Sequence, residues 1–337
     1  MEQFTFNDYI NMYVCYYNPK LHMCLDVPSY YMYKLDLAAN VAFTGIFGLY
    51  FVAYAAIWAT TRRGHIFNIA FLCGLTAEIL GYAARIVSFS NQWRTWPFMT
   101  QICALTVGPA FLAAGIYVCL RRIVRVFGVS HSRIRPQLYT RIFIPCDMVA
   151  LVLQAVGGGF AAYATYHAAS TQKGDNIMMA GLISQVITMA IFMLVSTDFA
   201  IRAWRSNSSG DSSPLASSPE EDAEAAKLGH LRSSWKFRGF LVALALATIC
   251  IFWRCVFRVA ELSGGWTGPL MHRQDLFIGF ESVMIVVAVG GLIIFHPGFC
   301  DSELLDDKPA PPKTEPVLGG GYSSDGHSRH EVVQVKA

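Results

Sequence analysis

The sequence predicts an all-α polytopic membrane protein of seven transmembrane helices, with its N-terminus outside and its C-terminus cytosolic. Three observations carry this. Seven stretches of predominantly apolar residues recur along the 337-residue chain, each of about the 20 residues that a helix needs to cross a hydrocarbon core of about 30 Å. Hydrophobic residues make up 54% of the chain and charged ones only 15%, with a mean hydropathy of +0.40; soluble domains carry about 25% charged residues. Lysine and arginine are divided unequally between the two sets of loops, and that bias sets orientation.

The spans are read at Leu37–Trp58, Ile66–Ser88, Phe98–Leu120, Arg141–Tyr163, Ile177–Ala200, Phe240–Leu262 and Asp275–Phe295. The loops after the first, third and fifth spans hold 14 Lys and Arg, from Arg62 and Arg63 to Lys236 and Arg238. The opposite side holds 5: Lys20, Lys34, Arg94, Lys173 and Arg273. Residues 1–36 form the extracytosolic N-terminal segment. Residues 37–296 are the seven-helix domain, and 297–337 are a cytosolic tail. No apolar run with a small-residue cleavage site precedes the first span, so that span is read as the uncleaved targeting signal.

Residues 206–233 are rich in Ser, Gly, Pro and acids. Such a composition cannot bury enough apolar surface to offset chain entropy, so this cytosolic loop and the tail are expected to be disordered. Ser213 and Ser218 each precede proline and are candidate phosphosites, which makes a kinase or another cytosolic partner of the loop an open expectation. Asn207 heads a sequon, but its cytosolic placement predicts no glycan. Of nine cysteines none shows zinc-ligand spacing, so no metal and no cofactor is expected. Cys73, Cys103, Cys119, Cys146, Cys250 and Cys255 read as lipid-facing or core thiols. Cys15 and Cys24 share the N-terminal segment, where an extracytosolic setting makes them a disulfide candidate. Cys300, beside the last span, is a candidate for palmitoylation.

Ionisable groups at membrane depth cost several kcal/mol unless paired or hydrated, and so mark candidate sites. In the second span Glu78, Tyr82 and Arg85 share a face at steps of four and three. Asp147 and Gln154 share one in the fourth span, a turn before Gly157, Gly158 and Gly159. Gln185 lies in the fifth. Arg254, Arg258 and Glu261 form a stripe in the sixth, with Arg258 and Glu261 at ion-pair spacing, and Glu281 lies in the seventh. Four acids against three arginines suggests groups that pair with one another. They would either tether helices or line a polar cavity, open to the outer leaflet, for a headgroup or small ionised solute. The glycine run is read as close helix approach, and Pro109 as a kink that frees a carbonyl.

Several classes are excluded. No basic run interleaved with aromatics suggests nucleic acid, and no phosphate-binding GxxxxGK[ST] loop is present. There is no lysine in the seventh span for a retinal Schiff base and no HExxH pair. The third span ends Tyr117-Val118-Cys119-Leu120-Arg121-Arg122, without the acidic-arginine-aromatic triplet of G-protein-coupled receptors, and the seventh span lacks NPxxY.

The ordered set of motifs resembles the fungal lipid-translocating exporter family, the seven-span sphingoid long-chain-base resistance and aminocholesterol-resistance proteins. The resemblance runs from about Tyr17 to Gly298. It rests on Tyr17-x-Pro19, Asn40-x-x-Phe43-x-x-x-Phe47, Glu78-x-x-Gly81-Tyr82-x-x-Arg85 and Pro109-x-x-x-Ala113-Ala114-x-x-Tyr117. It continues through Asp147 with Gln154 and the glycine run, Gly181-Leu182-x-x-Gln185, Arg254-x-x-x-Arg258-x-x-Glu261 and His296-Pro297-Gly298. Against the family pattern, Gln274 stands for a glutamate, Ile278 for a tyrosine, Glu281 for an aspartate and Ala150 for a serine. These departures are expected around the outer cavity. The resemblance implies ATP-independent translocation or export of a sphingoid-base-like or sterol-like amphiphile across the plasma membrane, with resistance to toxic amphiphiles. It also covers a member linked to porphyrin and haem traffic. The endoplasmic reticulum or the vacuolar membrane is the alternative location. The alternative function is a receptor or lipid-stress sensor that signals through its cytosolic loops. Partners under either reading are an amphipathic small molecule and membrane lipids.

Overall fold

The computed structural model describes residues 6–127 (save 26, 28 and 32), 136–209 (save 168) and 234–300 (save 265–267, 269, 271 and 272). No strand forms among them. A short helix, α1 (Phe6–Tyr17), and a 3₁₀ turn at His22–Leu25 precede the spans. The spans are α2 (Leu37–Thr61), α3 (His65–Ser90), α4 (Thr95–Phe127), α5 (Pro136–Tyr166), α6 (Gln172–Ser209), α7 (Trp235–Ser263) and α8 (Gln274–Ile294). All seven are long and apolar enough to cross a membrane. Several overrun the stretch that hydropathy marks, because a helix continues into polar residues once it leaves hydrocarbon. α6 takes in residues 206–209, which the sequence reading gave to the loop; residues 210–233, with Ser213 and Ser218, lie outside the described residues. So does most of the tail, although Pro297–Cys300 adds one more helical turn.

Local chemistry sets the ends. Asp36 caps α2, its Oδ1 accepting from the N–H groups of Ala38 (2.9 Å) and Ala39 (3.3 Å), which satisfies two of the donors orphaned at a helix start. Arg62 and Gly64 both take left-handed backbone (φ 49° and 64°), which reverses the chain into α3 within three residues. Arg62 bears a strain there that Gly64 does not.

α4 is the axis of the bundle. Of its most apolar stretch 67% is buried, against 11% for α2 at the periphery. α3 lies against α4 through interleaved glycines: a Cβ on Gly81 would meet Leu105, and one on Gly115 would meet Phe71 at 2.5 Å. α5 and α6 approach backbone to backbone. A Cβ on Gly157 would stand 2.3 Å from the Met178 nitrogen, and one on Gly174 2.5 Å from that of Ala161. The glycine run thus provides close approach, but through Gly157; a Cβ on Gly159 would meet nothing within 4 Å. Leu49, Leu194 and Val242 point outward, about 70% exposed, as a lipid-facing surface requires.

Where α8 ends, His296 is tucked inside. The Gly298 N–H donates to its Nδ1 (3.0 Å), which leaves Nε2 to donate to Asn68 Oδ1 (3.2 Å). Burial pushes this imidazole down to about 4.

Candidate functional site: a buried polar core

The core is built around a gap in α4. Pro109 has no N–H, so the carbonyl four residues earlier, that of Leu105, has no helical donor. The Arg254 guanidinium of α7 donates to that oxygen and, at 2.6 Å, to Glu281 Oε1 of α8. One turn on, Arg258 Nη1 binds Glu261 Oε2 at 2.6 Å, and its Nε lies 3.8 Å from Glu281. All four side chains are at most 5% exposed.

A wider, π-helical turn at Ile278–Val283 presents two consecutive residues of α8 to the interior. Glu281 and Ser282 are both fully buried, and Ser282 is hydrogen-bonded to Tyr82 of α3. Single π-turns within α-helices recur at functional sites. Glu78, a turn before Tyr82, completes this hub. It is fully buried and faces α4 at Gly108, where an added Cβ would stand 2.8 Å from Oε1. Neither carboxyl oxygen of Glu78 has a hydrogen-bond partner among the described residues.

Two other candidate groups stand apart. Arg85 does not join the acids. Its Nε donates to Asn40 Oδ1 (2.8 Å) and its Nη2 to the Tyr33 hydroxyl (3.0 Å), and its guanidinium lies 4.2 Å from the Phe277 ring centre. Tyr31 lies beside it and donates to Ser88 (2.8 Å); burial raises that phenol to about 12. Arg85 therefore fastens the N-terminal segment to the bundle. The same segment is tied by the Cys15–Cys24 bond and by Asn91, which donates to the Tyr16 carbonyl.

The second group lies between α4, α5 and α6. Tyr117 donates to Asp147 (2.8 Å), and Gln154 donates to Gln185 (3.1 Å). The expected mutual pairing thus holds only in part: Arg254 pairs with Glu281 and Arg258 with Glu261, whereas Asp147 is held by a phenol, Arg85 by an amide, a phenol and a ring, and Glu78 by nothing described. Sequence reasoning missed Ser282, because its inward turn depends on the π-helical register. It also missed the Arg254–Leu105 contact, although the freed carbonyl was legible from Pro109. No group of three or more His, Cys, Asp or Glu side chains able to hold a metal ion occurs among the described residues.

Residues 71–303 match the model of the RTA1 like protein family. The chain belongs to the RTA1-like family. It is 35% identical over 277 residues to the sphingoid long-chain base transporter RSB1 of Saccharomyces cerevisiae (strain Lalvin EC1118), covering 78% of this chain and 72% of that one. Protoporphyrin uptake protein 1 of Saccharomyces cerevisiae is 27% identical over 66% of this chain and 65% of its own. Protein RTM1 of the same species is 28% identical over 67% and 64%. No solved structure matches. This member of the RTA1-like family is a multi-pass membrane protein. Its departures from the expected pattern do not surround a single site. With its amide turned to satisfy both neighbours, Gln274 donates to the Lys34 carbonyl and accepts from the Asp36 N–H, each at 3.0 Å, so it joins the N-terminal segment to α8. Ile278 opens the π-helical turn. Ala150 lies in the α5–α6 seam, where its carbonyl would stand 2.7 Å from a Cβ on Gly181.

Proposed function

We propose that this protein moves an amphipathic lipid of the sphingoid-base class across its membrane, without ATP and without chemical change to the lipid. The observation that carries the reading is the 35% identity, spread over 277 residues, to a sphingoid long-chain base transporter. The geometry supports it. A polar hub of two arginines, three glutamates and a tyrosine lies inside a bundle whose outer surface is apolar, which is the arrangement a charged headgroup on an apolar tail requires. Arginine can hold phosphate or carboxylate through parallel hydrogen bonds, and a free glutamate can accept an amine. The working orientation places the N-terminal segment outside, on the Lys/Arg bias, in the plasma membrane. Loop 206–233 and the tail would then meet any cytosolic partner, and export would confer resistance to toxic amphiphiles.

The test is flux in proteoliposomes of the purified full chain. Fluorescent sphingoid base, sterol and phospholipid probes are compared with and without nucleotide. Sphingoid base should cross faster than in protein-free vesicles and equally well without ATP. Equal rates for all probes with and without protein would reject transport. Acceleration of the sterol alone would reject the substrate class.

A further inference from the structure

Glu78 is the acid of the polar core that the fold leaves free. Glu261 and Glu281 are held by arginines and Asp147 by Tyr117, whereas neither oxygen of the fully buried Glu78 meets a donor among the described residues. Its neighbours come from α3, α4, α7 and α8. From α7 come Arg254 and Arg258 and from α8 comes Glu281, all within electrostatic reach; the arginines are already engaged by Glu281, the Leu105 carbonyl and Glu261. On its own helix Tyr82 is bonded to Ser282. From α4 it meets Gly108, which brings no side chain. Arg85, seven residues on, is about 10.5 Å away along the axis and is bonded to Asn40 and Tyr33.

Two arginines and two glutamates already balance in charge. An ionised Glu78 would add an uncompensated negative charge with no hydrogen bond at membrane depth, a cost of several kcal/mol. Its neutral acid avoids that cost, and so does its carboxylate once a cation sits beside it. We propose that Glu78 holds an exchangeable proton in the resting protein, and that the ammonium headgroup of an amphipathic amine displaces it. The O–H bond of the acid breaks, its proton leaves to water, and the carboxylate takes the ammonium as partner; no other reactant is needed. One positive charge leaves as another arrives, so the core keeps its net charge at each stage. This rests on the amine-lipid reading above and adds a coupling to it: lipid amine entering from one side would release a proton, and a proton gradient would drive the amine out again.

The test uses the full chain in nanodiscs, with sphingosine and N,N,N-trimethylsphingosine as probes. The quaternary nitrogen carries no proton, so any proton released on its binding comes from the protein. Calorimetry in two buffers of different ionisation heat counts that proton, and infrared difference spectra follow the carbonyl stretch of a protonated carboxyl. Both probes should release about one proton per lipid bound, with loss of the acid band. Glu78→Gln mimics the neutral acid and should fold, lack that band, release no proton to the quaternary probe and bind it roughly tenfold more weakly or worse. Binding without proton release, or a wild-type spectrum with no such band to lose, overturns the exchange and leaves the amine-lipid reading standing. Equal release from E78Q places the proton elsewhere and overturns the assignment. If sphingosine neither binds nor crosses vesicles, the amine-lipid reading falls and the exchange with it.

Discussion

Arg254 is held by two bonds of different kinds, and a mutant cycle separates them. Replacing it with methionine keeps much of its length and removes both. Glu281 then becomes a buried acid without its closest partner, a loss of about 3–5 kcal/mol. The Leu105 carbonyl becomes an unsatisfied acceptor, a further loss of about 1–3 kcal/mol. The second loss exists only because residue 109 is proline. In a Pro109→Ala background the alanine N–H reaches the Leu105 carbonyl through the ordinary i→i−4 bond, so Arg254→Met should cost about 1–3 kcal/mol less there than in the wild-type helix. Pro109→Ala will have its own effect, through straightening and helix propensity, but that effect cancels in the cycle. Equilibrium unfolding in mixed micelles, followed by tryptophan fluorescence, measures all four proteins. If the two substitutions add to within about 0.5 kcal/mol, the freed carbonyl is not what ties α7 to α4, and the account of the hub is wrong at its foundation.

Four further outcomes follow. Gly157→Ala should sharply lower expression and melting temperature, because its Cβ would meet backbone at 2.3 Å, whereas Gly159→Ala, with open space around it, should be neutral or gain up to about 1 kcal/mol of helix propensity. His296 has its folded-state value pushed down to about 4 by burial, so the unfolded chain binds the proton first. The stability its neutral form contributes is complete above about pH 6.5. It is lost as the pH falls toward 4, by at most about 3 kcal/mol. His296→Asn should flatten that limb of a stability–pH curve, and an unchanged slope would refute the assignment. Maleimide added to the denatured chain should label Cys15 and Cys24 only after reduction. On intact cells a tag at the N-terminus should be reached without permeabilisation; the reverse would overturn the orientation drawn from the loop charges.

The seven spans were legible because hydrocarbon imposes a length and a composition on any helix that crosses it, and both are local properties of the chain. The freed carbonyl at Pro109 and the Arg258–Glu261 pair were legible for the same reason, since proline chemistry and i,i+3 spacing need no tertiary knowledge. The helix ends were less so: α6 runs through 206–209 because hydropathy reports the solvent a residue prefers and not where hydrogen bonding stops.

Which charges meet was settled by packing. Arg85 and Glu78 share a face of α3, yet one reaches the N-terminal segment and the other faces α4, because seven residues carry them to levels with different neighbours. A π-helical turn brings Ser282 inward beside Glu281, a change of register that single-sequence periodicity does not encode. Glycines 157 and 159 are identical in the sequence and opposite in the fold, since only one faces α6. The membrane dictates composition residue by residue, so the chain alone declares the spans. An ion pair or a close approach depends on the relative rotation and depth of two helices far apart in sequence, and only their mutual packing fixes those.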